Sequence, residues 1–329
     1  MATNANMVPE LKTMVLLFNA GMYPVEQIGS DIITLSGLQR LEIKNQLAGA
    51  PGGNFLALLS TLPHLESLDL ALAHTYQSPQ SSSFPPNPFP LLTNVGISGT
   101  VNTISAAIVT FYTAPIIAMR ITLNDAVVQN DQKFQDLLSN ICRLPTSFHS
   151  LSIHFATLST ITTGMVQPLL QLASLTVVQV NGQGRWDIED GDIDVISQSW
   201  PLLAELHIAG PGTAKLSLQG LLDLAVKLPH LRDLTVPVNP TTIPQTHFLS
   251  DTVYPKIASL SLMPDTRLVD PFHLARFLSF AFPNAELTIW SQAVKWDQVC
   301  QLVPIFQAVR REDRLRFEHE KTGLAPKAV

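Results

Sequence analysis

The sequence predicts an α/β solenoid of stacked strand-and-crossover copies. It should form a horseshoe with a parallel β-sheet on its concave face and helices and irregular loops on its convex face. Three observations predict it. One pattern recurs at a fixed step of 27 residues, in Val8-Pro9-Glu10-Leu11-Lys12-Thr13-Met14-Val15-Leu16, in Leu35 to Ile43 and in Leu62-Pro63-His64-Leu65-Glu66-Ser67-Leu68-Asp69-Leu70. Each copy ends in an apolar-x-apolar step, the alternation of a strand with one buried face. Helix-like runs lie between copies, and strands separated by helices over such intervals are joined as parallel neighbours. A fixed period of this size is the mark of a repeat architecture.

The frame continues with drifting spacing. Phe89-Pro90-Leu91-Leu92 leads to Val95 and Ile97, Ile116 to Met119 and Ile121, and Phe148 to Leu151 and Ile153. Leu172 leads to Leu175 and Val177, Trp200-Pro201-Leu202-Leu203 to Leu206 and Ile208, and Leu228-Pro229-His230-Leu231 to Leu234 and Val236. Tyr254-Pro255-Lys256-Ile257 leads to Leu260 and Leu262, and Phe282-Pro283-Asn284 to Leu287 and Ile289. That makes about eleven irregular repeats in one domain spanning 1–329, with Leu315 and Phe317 read as a frayed twelfth copy at 314–318. Helices are expected over Asn54–Leu62, Thr103–Tyr112, Asp131–Cys142, Ile188–Trp200, Leu216–Leu228, Asp270–Phe282 and Ala293–Arg311, with Asp131, Ser217 and Asp270 as helix starts. Two segments, 74–88 and 237–252, are expected as irregular loop insertions, the first Ser/Pro-rich.

Energetics require the copies to stack. Three apolar strand residues contribute roughly 5–9 kcal/mol on burial, at ~1.5–3 each. Ordering about 27 backbone residues costs several times that, at ~1–2 kcal/mol per residue. Neighbours on both sides make the sum favourable.

The copies resemble leucine-rich repeats, L-x-x-L-x-L-x-x-N/C. The asparagine position holds Asn19, Asn124 and Asn239, and elsewhere Gln46, Ala73, Thr100, Ala156, Val180, Pro211 and Asp265, so the asparagine ladder of regular members is kept in a minority of copies. Uneven repeats, intervening helices and a recurrent aromatic-or-Leu-Pro-x-Leu-x-x-Leu strand look like the substrate-binding half of fungal F-box leucine-rich repeat proteins. The resemblance implies an intracellular, non-catalytic protein–protein interaction module that recognises substrates for an SCF-type ubiquitin ligase. In that family an F-box docks on a Skp-type adaptor. Here Val8–Leu16 already reads as a repeat strand, so a Skp-type adaptor is a partner only if an F-box lies upstream. The first copy also lacks the polar cap of a terminal repeat, and the expectation is that a cap or an F-box precedes it. The alternatives are a repeat scaffold with no ligase link, or a truncated fragment of an F-box protein.

Composition bounds the partners. The net charge of −6 is thinly spread and offers no field for nucleic acid. The basic cluster Arg310, Arg311, Arg314 and Arg316 reads as a solvated helix end plus a last strand. Cys142 and Cys300 sit in apolar helical patterns and read as buried thiols. With no signal peptide and no glycosylation acceptor, a cytoplasmic or nuclear protein is expected. The most apolar stretch, Ala106–Leu123, is broken by Pro115 and Arg120 and is no membrane span.

No residue set argues for catalysis, a cofactor or a metal. The acidic run from Asp187 to Asp194 misses the EF-hand frame, because Trp186 stands where the first ligand would be. It reads as a loop whose carboxylates start the next helix. Gly182-Gln183-Gly184 and Gly210-Pro211-Gly212 read as turns, without the continuation of a nucleotide-binding loop. The derivable surface is the outward row of each strand, expected to hold a protein substrate. Its candidate residues are Arg40, Glu42, Asp69, Arg120, His154, His207, Met263 and Trp290. Trp, Met and Arg are types enriched at protein interfaces, and Trp290 is the foremost candidate.

Overall fold

The computed structural model describes residues 11–17, 31–44, 53–72, 84–125, 127, 132–210, 214–244, 256–264, 270–290 and 294–322. The chain divides into two compact units, Met1–Trp186 and Asp187–Val329. Val8–Glu10, Asn19, Gln46, Ala73, Asp131, Asp265, the turn residues Pro211 and Gly212, and most of the two expected loop insertions lie outside the described residues.

The first unit runs β1 (Thr13–Leu17), β2 (Arg40–Lys44), α1 (Gly53–Leu59), β3 (Ser67–Ala71), β4 (Asn94–Gly99), α2 (Val101–Ile108), β5 (Ala118–Leu123), α3 (Gln132–Ile141), β6 (Ser150–Thr162) and β7 (Val177–Asp187). Its strands lie side by side in chain order. The register is the repeat itself: Met14 pairs with Leu41, Leu41 with Leu68, and Leu68 with Val95, each 27 residues on. Val95 then pairs with Met119 and Met119 with Leu151, so the drift in spacing is absorbed by the crossovers and leaves the ladder in register.

The second unit runs α4 (Ile193–Ser199), β8 (Glu205–Ile208), α5 (Leu218–Lys227), β9 (Asp233–Val238), β10 (Ser259–Pro264), α6 (Pro271–Ala281), β11 (Glu286–Ile289) and α7 (Val294–Thr322). Leu206, Leu234, Leu260 and Leu287 pair in succession, again parallel.

Alternation places the apolar pairs inside. Leu41 and Ile43, Leu68 and Leu70, Val95 and Ile97, Met119 and Ile121, and Leu151 and Ile153 are buried, as are Leu206 and Ile208, Leu234 and Val236, and Leu260 and Leu262. The leading apolar residue of each motif, such as Leu38, Leu65, Leu92, Ile116, Phe148, Leu203 and Leu231, is buried with them. Helices close the other side of the core through Phe55 and Leu59, Ile104 and Ile108, Phe134 and Leu138, Leu221 and Leu224, Phe277 and Leu278, and Trp296 and Val299. Burial of these side chains at ~1.5–3 kcal/mol each supplies the driving force that one copy lacks.

Several sequence expectations are corrected. In the seventh copy the buried pair is Val178 and Val180, with Val177 only half-buried. The run Leu172-Ala173-Ser174-Leu175 satisfies the same spacing three residues early, which is why Leu175 and Val177 were the natural reading. Gly182 is not in a turn but inside β7, at φ 84. A Cβ there would strike the Phe155 carbonyl and the His154 ring, so both the left-handed backbone and the close approach call for glycine. Leu315 and Phe317 form no twelfth strand; they lie in α7, the helix that extends well past Arg311. The basic cluster is therefore entirely helical, and the Arg310 guanidinium stacks 4.7 Å over the Phe280 ring. Pro237 and Val238, placed by the sequence in a loop, are paired strand residues.

The helix starts are well determined. Thr100 and Thr103 form a capping box at α2, and both Asp125 carboxylate oxygens accept from the Val101 N–H, at 3.1 and 3.2 Å. Ser217 caps α5 and Asp270 caps α6, as the sequence indicated. The acidic run performs this work too. Glu189 and Asp192 cap each other around a short 3₁₀ turn, and Asp190 accepts from the Ser217 N–H at 2.8 Å and the Ser217 hydroxyl at 2.6 Å. Gly220 leaves room for that carboxylate, which a Cβ would strike. Losing this inter-repeat cap should cost about 1 kcal/mol. Asp190→Ala is expected to lower the unfolding free energy by that amount in a urea titration, whereas Glu312→Ala on exposed α7 should change it by less than ~0.5 kcal/mol.

Candidate functional site

Strand alternation turns every second residue of the ladder to the open face of the sheet, the face that the solenoid reading makes concave. In the first unit one register row runs Val15, Glu42, Asp69, Gly96, Arg120, Ser152. The next row toward the strand starts runs Arg40, Ser67, Asn94, Ala118, Ser150. Neighbouring strands are ~4.8 Å apart, so residues in one row touch. Arg40, Glu42, Asp69 and Arg120, four of the sequence candidates, are thereby brought together. With Leu41, Ser67 and Asn94 they line an open depression of about 400 Å³.

The chemistry of this depression turns on Gly96. Arg120 and Asp69 are two strands apart, and only the absence of a side chain between them lets the guanidinium approach the carboxylate, at 3.8 Å. A Cβ on Gly96 would lie 2.6 Å from the Asp69 Cγ. Burial lifts the Asp69 carboxyl above the ordinary aspartate value, Arg120 offsets part of that rise, and the Glu42 charge adds to it. Glu42 is held by Lys44 at 2.9 Å on its own strand. His154 stands further along the same face, where its Nδ1 meets the Asn181 Oδ1 at 2.9 Å.

In the second unit three rows cross β8–β11. Glu205, Asp233, Ser259 and Glu286 form the first, and His207, Thr235, Ser261 and Thr288 the second. The His207 Nδ1 lies 3.0 Å from the Thr235 hydroxyl. Met263 pairs with Pro237 in the third row. Trp290 follows directly after β11, its backbone N–H donating to the Leu262 carbonyl at 2.9 Å and the residue 67% exposed. Sequence reasoning placed these candidates on one surface. It missed Ser67, Asn94, Gln179, Asn181 and Pro237 as their neighbours. The ladder offset, which a motif frame does not carry, is the signal that finds them.

Other clusters carry no chemistry of this kind. Lys215 pairs with Glu189 at 2.6 Å and Asp187 at 3.6 Å, tying the acidic run to the segment that leads into α5. Cys142 and Cys300 are free and partly buried; burial pushes the Cys142 thiol up to about 11, and its Sγ–H donates to the Pro168 carbonyl at 3.0 Å. Among the described residues no group of His, Cys, Asp and Glu could hold a metal ion, and no helix is long and apolar enough to cross a membrane.

The parallel ladder in repeat register, with helices over its buried side, defines an α/β solenoid of the leucine-rich-repeat type. No family model matches the chain, and no curated protein matches it. Among solved structures it is similar to one described as the crystal structure of the Rad7 and Elc1 complex in yeast, with a TM-score of 0.38 and 16% identity over 86% of this chain and 78% of that one. A likeness so distant carries no argument, and the fold class stands on the ladder itself.

The sign of the Asp69 shift gives a prediction. A carboxyl raised in the folded chain destabilises the fold above the ordinary aspartate pKa and has no effect below it. Asp69→Asn should therefore raise the unfolding free energy at pH 7, by less than ~1 kcal/mol because the site is partly solvated. The gain should vanish near pH 3 in parallel urea titrations.

Proposed function

We propose that this chain is a non-catalytic protein-interaction module that holds a protein partner on the open face of its sheet. The observation that carries the reading is Trp290, 67% exposed on a sheet face beside Met263. A large aromatic left in water at the end of a strand is the type of residue that dominates interface energies. Arg40, Glu42, Asp69, Arg120, His154 and His207 would add polar specificity. The family resemblance in the repeats supports substrate recognition for an SCF-type ubiquitin ligase in the cytoplasm or nucleus, with a Skp-type adaptor as a second partner only if an F-box lies upstream.

Partner capture by in-cell cross-linking and quantitative mass spectrometry tests this. Trp290→Ala combined with His207→Ala should reduce capture at least tenfold while leaving the thermal unfolding midpoint unchanged. Capture at the wild-type level would reject the surface. Recovery of a Skp-type adaptor with full-length protein supports the ligase role; its absence beside a Trp290-dependent partner makes the chain a scaffold without a ligase link.

A further inference from the structure

We infer that the open face of β8–β11 takes a positively charged segment of another protein, one carrying an apolar anchor about 13 Å from its basic groups. The inference rests on the protein-binding reading above and gives that partner its chemistry.

The argument begins with charge. Glu205 and Asp233 are register partners, and Glu286 follows across Ser259 in the same row. Like charges directly opposite on adjacent strands repel. Among the described residues no lysine or arginine stands in these rows; Arg232, exposed beside Asp233 at the entry to β9, makes no ion pair with it, and none of the three carboxylates is in an ion pair. This contrasts with the first unit, where Arg120 and Lys44 pair with Asp69 and Glu42 on the same face. A cationic segment would supply the missing countercharge.

The second observation is independent of charge. Four residues further along the strands the face becomes apolar, with Pro237, Met263 and the exposed Trp290 in adjacent positions. At ~3.3 Å per strand residue the two rows are ~13 Å apart. Between them lie only small hydroxylic side chains and His207, so nothing bulky blocks a chain laid along the strands. The fit is to a polypeptide, since a small cation would not use the apolar row and a polyanion such as nucleic acid would be repelled by the acidic one.

Fluorescence anisotropy with labelled twelve-residue peptides tests the inference. The probe carries Arg-Arg and Leu-Leu with their centres four residues apart; the comparison peptides replace Arg-Arg by Glu-Glu or Leu-Leu by Ser-Ser. The Arg/Leu peptide should bind at least tenfold more tightly than either, and binding should weaken severalfold between 50 and 500 mM salt. The triple variant Glu205→Gln, Asp233→Asn, Glu286→Gln and, separately, Trp290→Ala should each weaken it about tenfold at unchanged unfolding midpoints. Trp290 emission should shift on binding, because Trp186, Trp200 and Trp296 are buried. Equal binding of the Glu-Glu peptide, no binding of the Arg/Leu peptide, or wild-type affinity in the triple variant would overturn the inference. If that happens while cellular capture still depends on Trp290, only the partner's chemistry is rejected; loss of both rejects the interaction surface.

Discussion

Everything in this chain depends on one strand pairing with the next at the distance of the repeat. A copy of about 27 residues cannot offset its own ordering entropy, so each strand is stable only while its neighbours hold it. The ladder therefore tolerates no slip. A one-residue shift would turn Leu41, Leu68 and Val95 to water and bring Glu42 and Asp69 inside. The crossovers are free to vary because the ladder is not. The steps from Val95 to Met119 and from Met119 to Leu151 differ widely in length and still arrive in register.

The asparagine ladder of regular repeats is sparse here, and other groups tie copy to copy. Hydroxyls at the strand starts donate to the carbonyls of the preceding copy: Thr93 to Glu66 at 3.3 Å, Ser147 to Ile116 at 2.9 Å, and Ser174 to Phe148 at 2.8 Å. Carboxylates from a neighbouring copy, Asp125 at α2 and Asp190 at Ser217, take helix-terminal donors that would otherwise be orphaned. The same demand, a partner for every buried backbone group, is met by chemistry that a motif search does not score.

This explains what was legible in the sequence. Period, strand positions and buried pairs follow from alternation over short spans; the pair is buried in eight copies, while Met14 and Leu16 in the first copy and Leu287 and Ile289 in the eleventh are only half-buried. The seventh copy failed because two overlapping frames, Leu172–Val177 and Leu175–Val180, are equally apolar, and only the hydrogen bonds from Thr176 and Val177 to the His149 carbonyl decide between them. Gly182 reads as a turn in the sequence because glycine marks turns more often than it marks a strand residue at positive φ beside a neighbouring carbonyl and imidazole. At the candidate site the types of residue were readable, but their groupings were not. That Arg120 reaches Asp69 depends on Gly96 lying between them in register, and register is a property of paired strands.

The rigidity of the ladder also bears on binding. Side chains rooted on paired strands lose little backbone freedom when a partner arrives, so more of the contact energy appears as affinity. The two units use this differently. In the first, Asp69 and Glu42 already have cationic neighbours, so a partner's charge must compete with internal pairs and is better placed to confer specificity than strength. In the second, the carboxylate row has no such competitor on its face, and the exposed Trp290 ring stands ready to be buried. On the proposed reading, binding energy would be concentrated where the sheet leaves both its charge and its apolar area unsatisfied, on β8–β11.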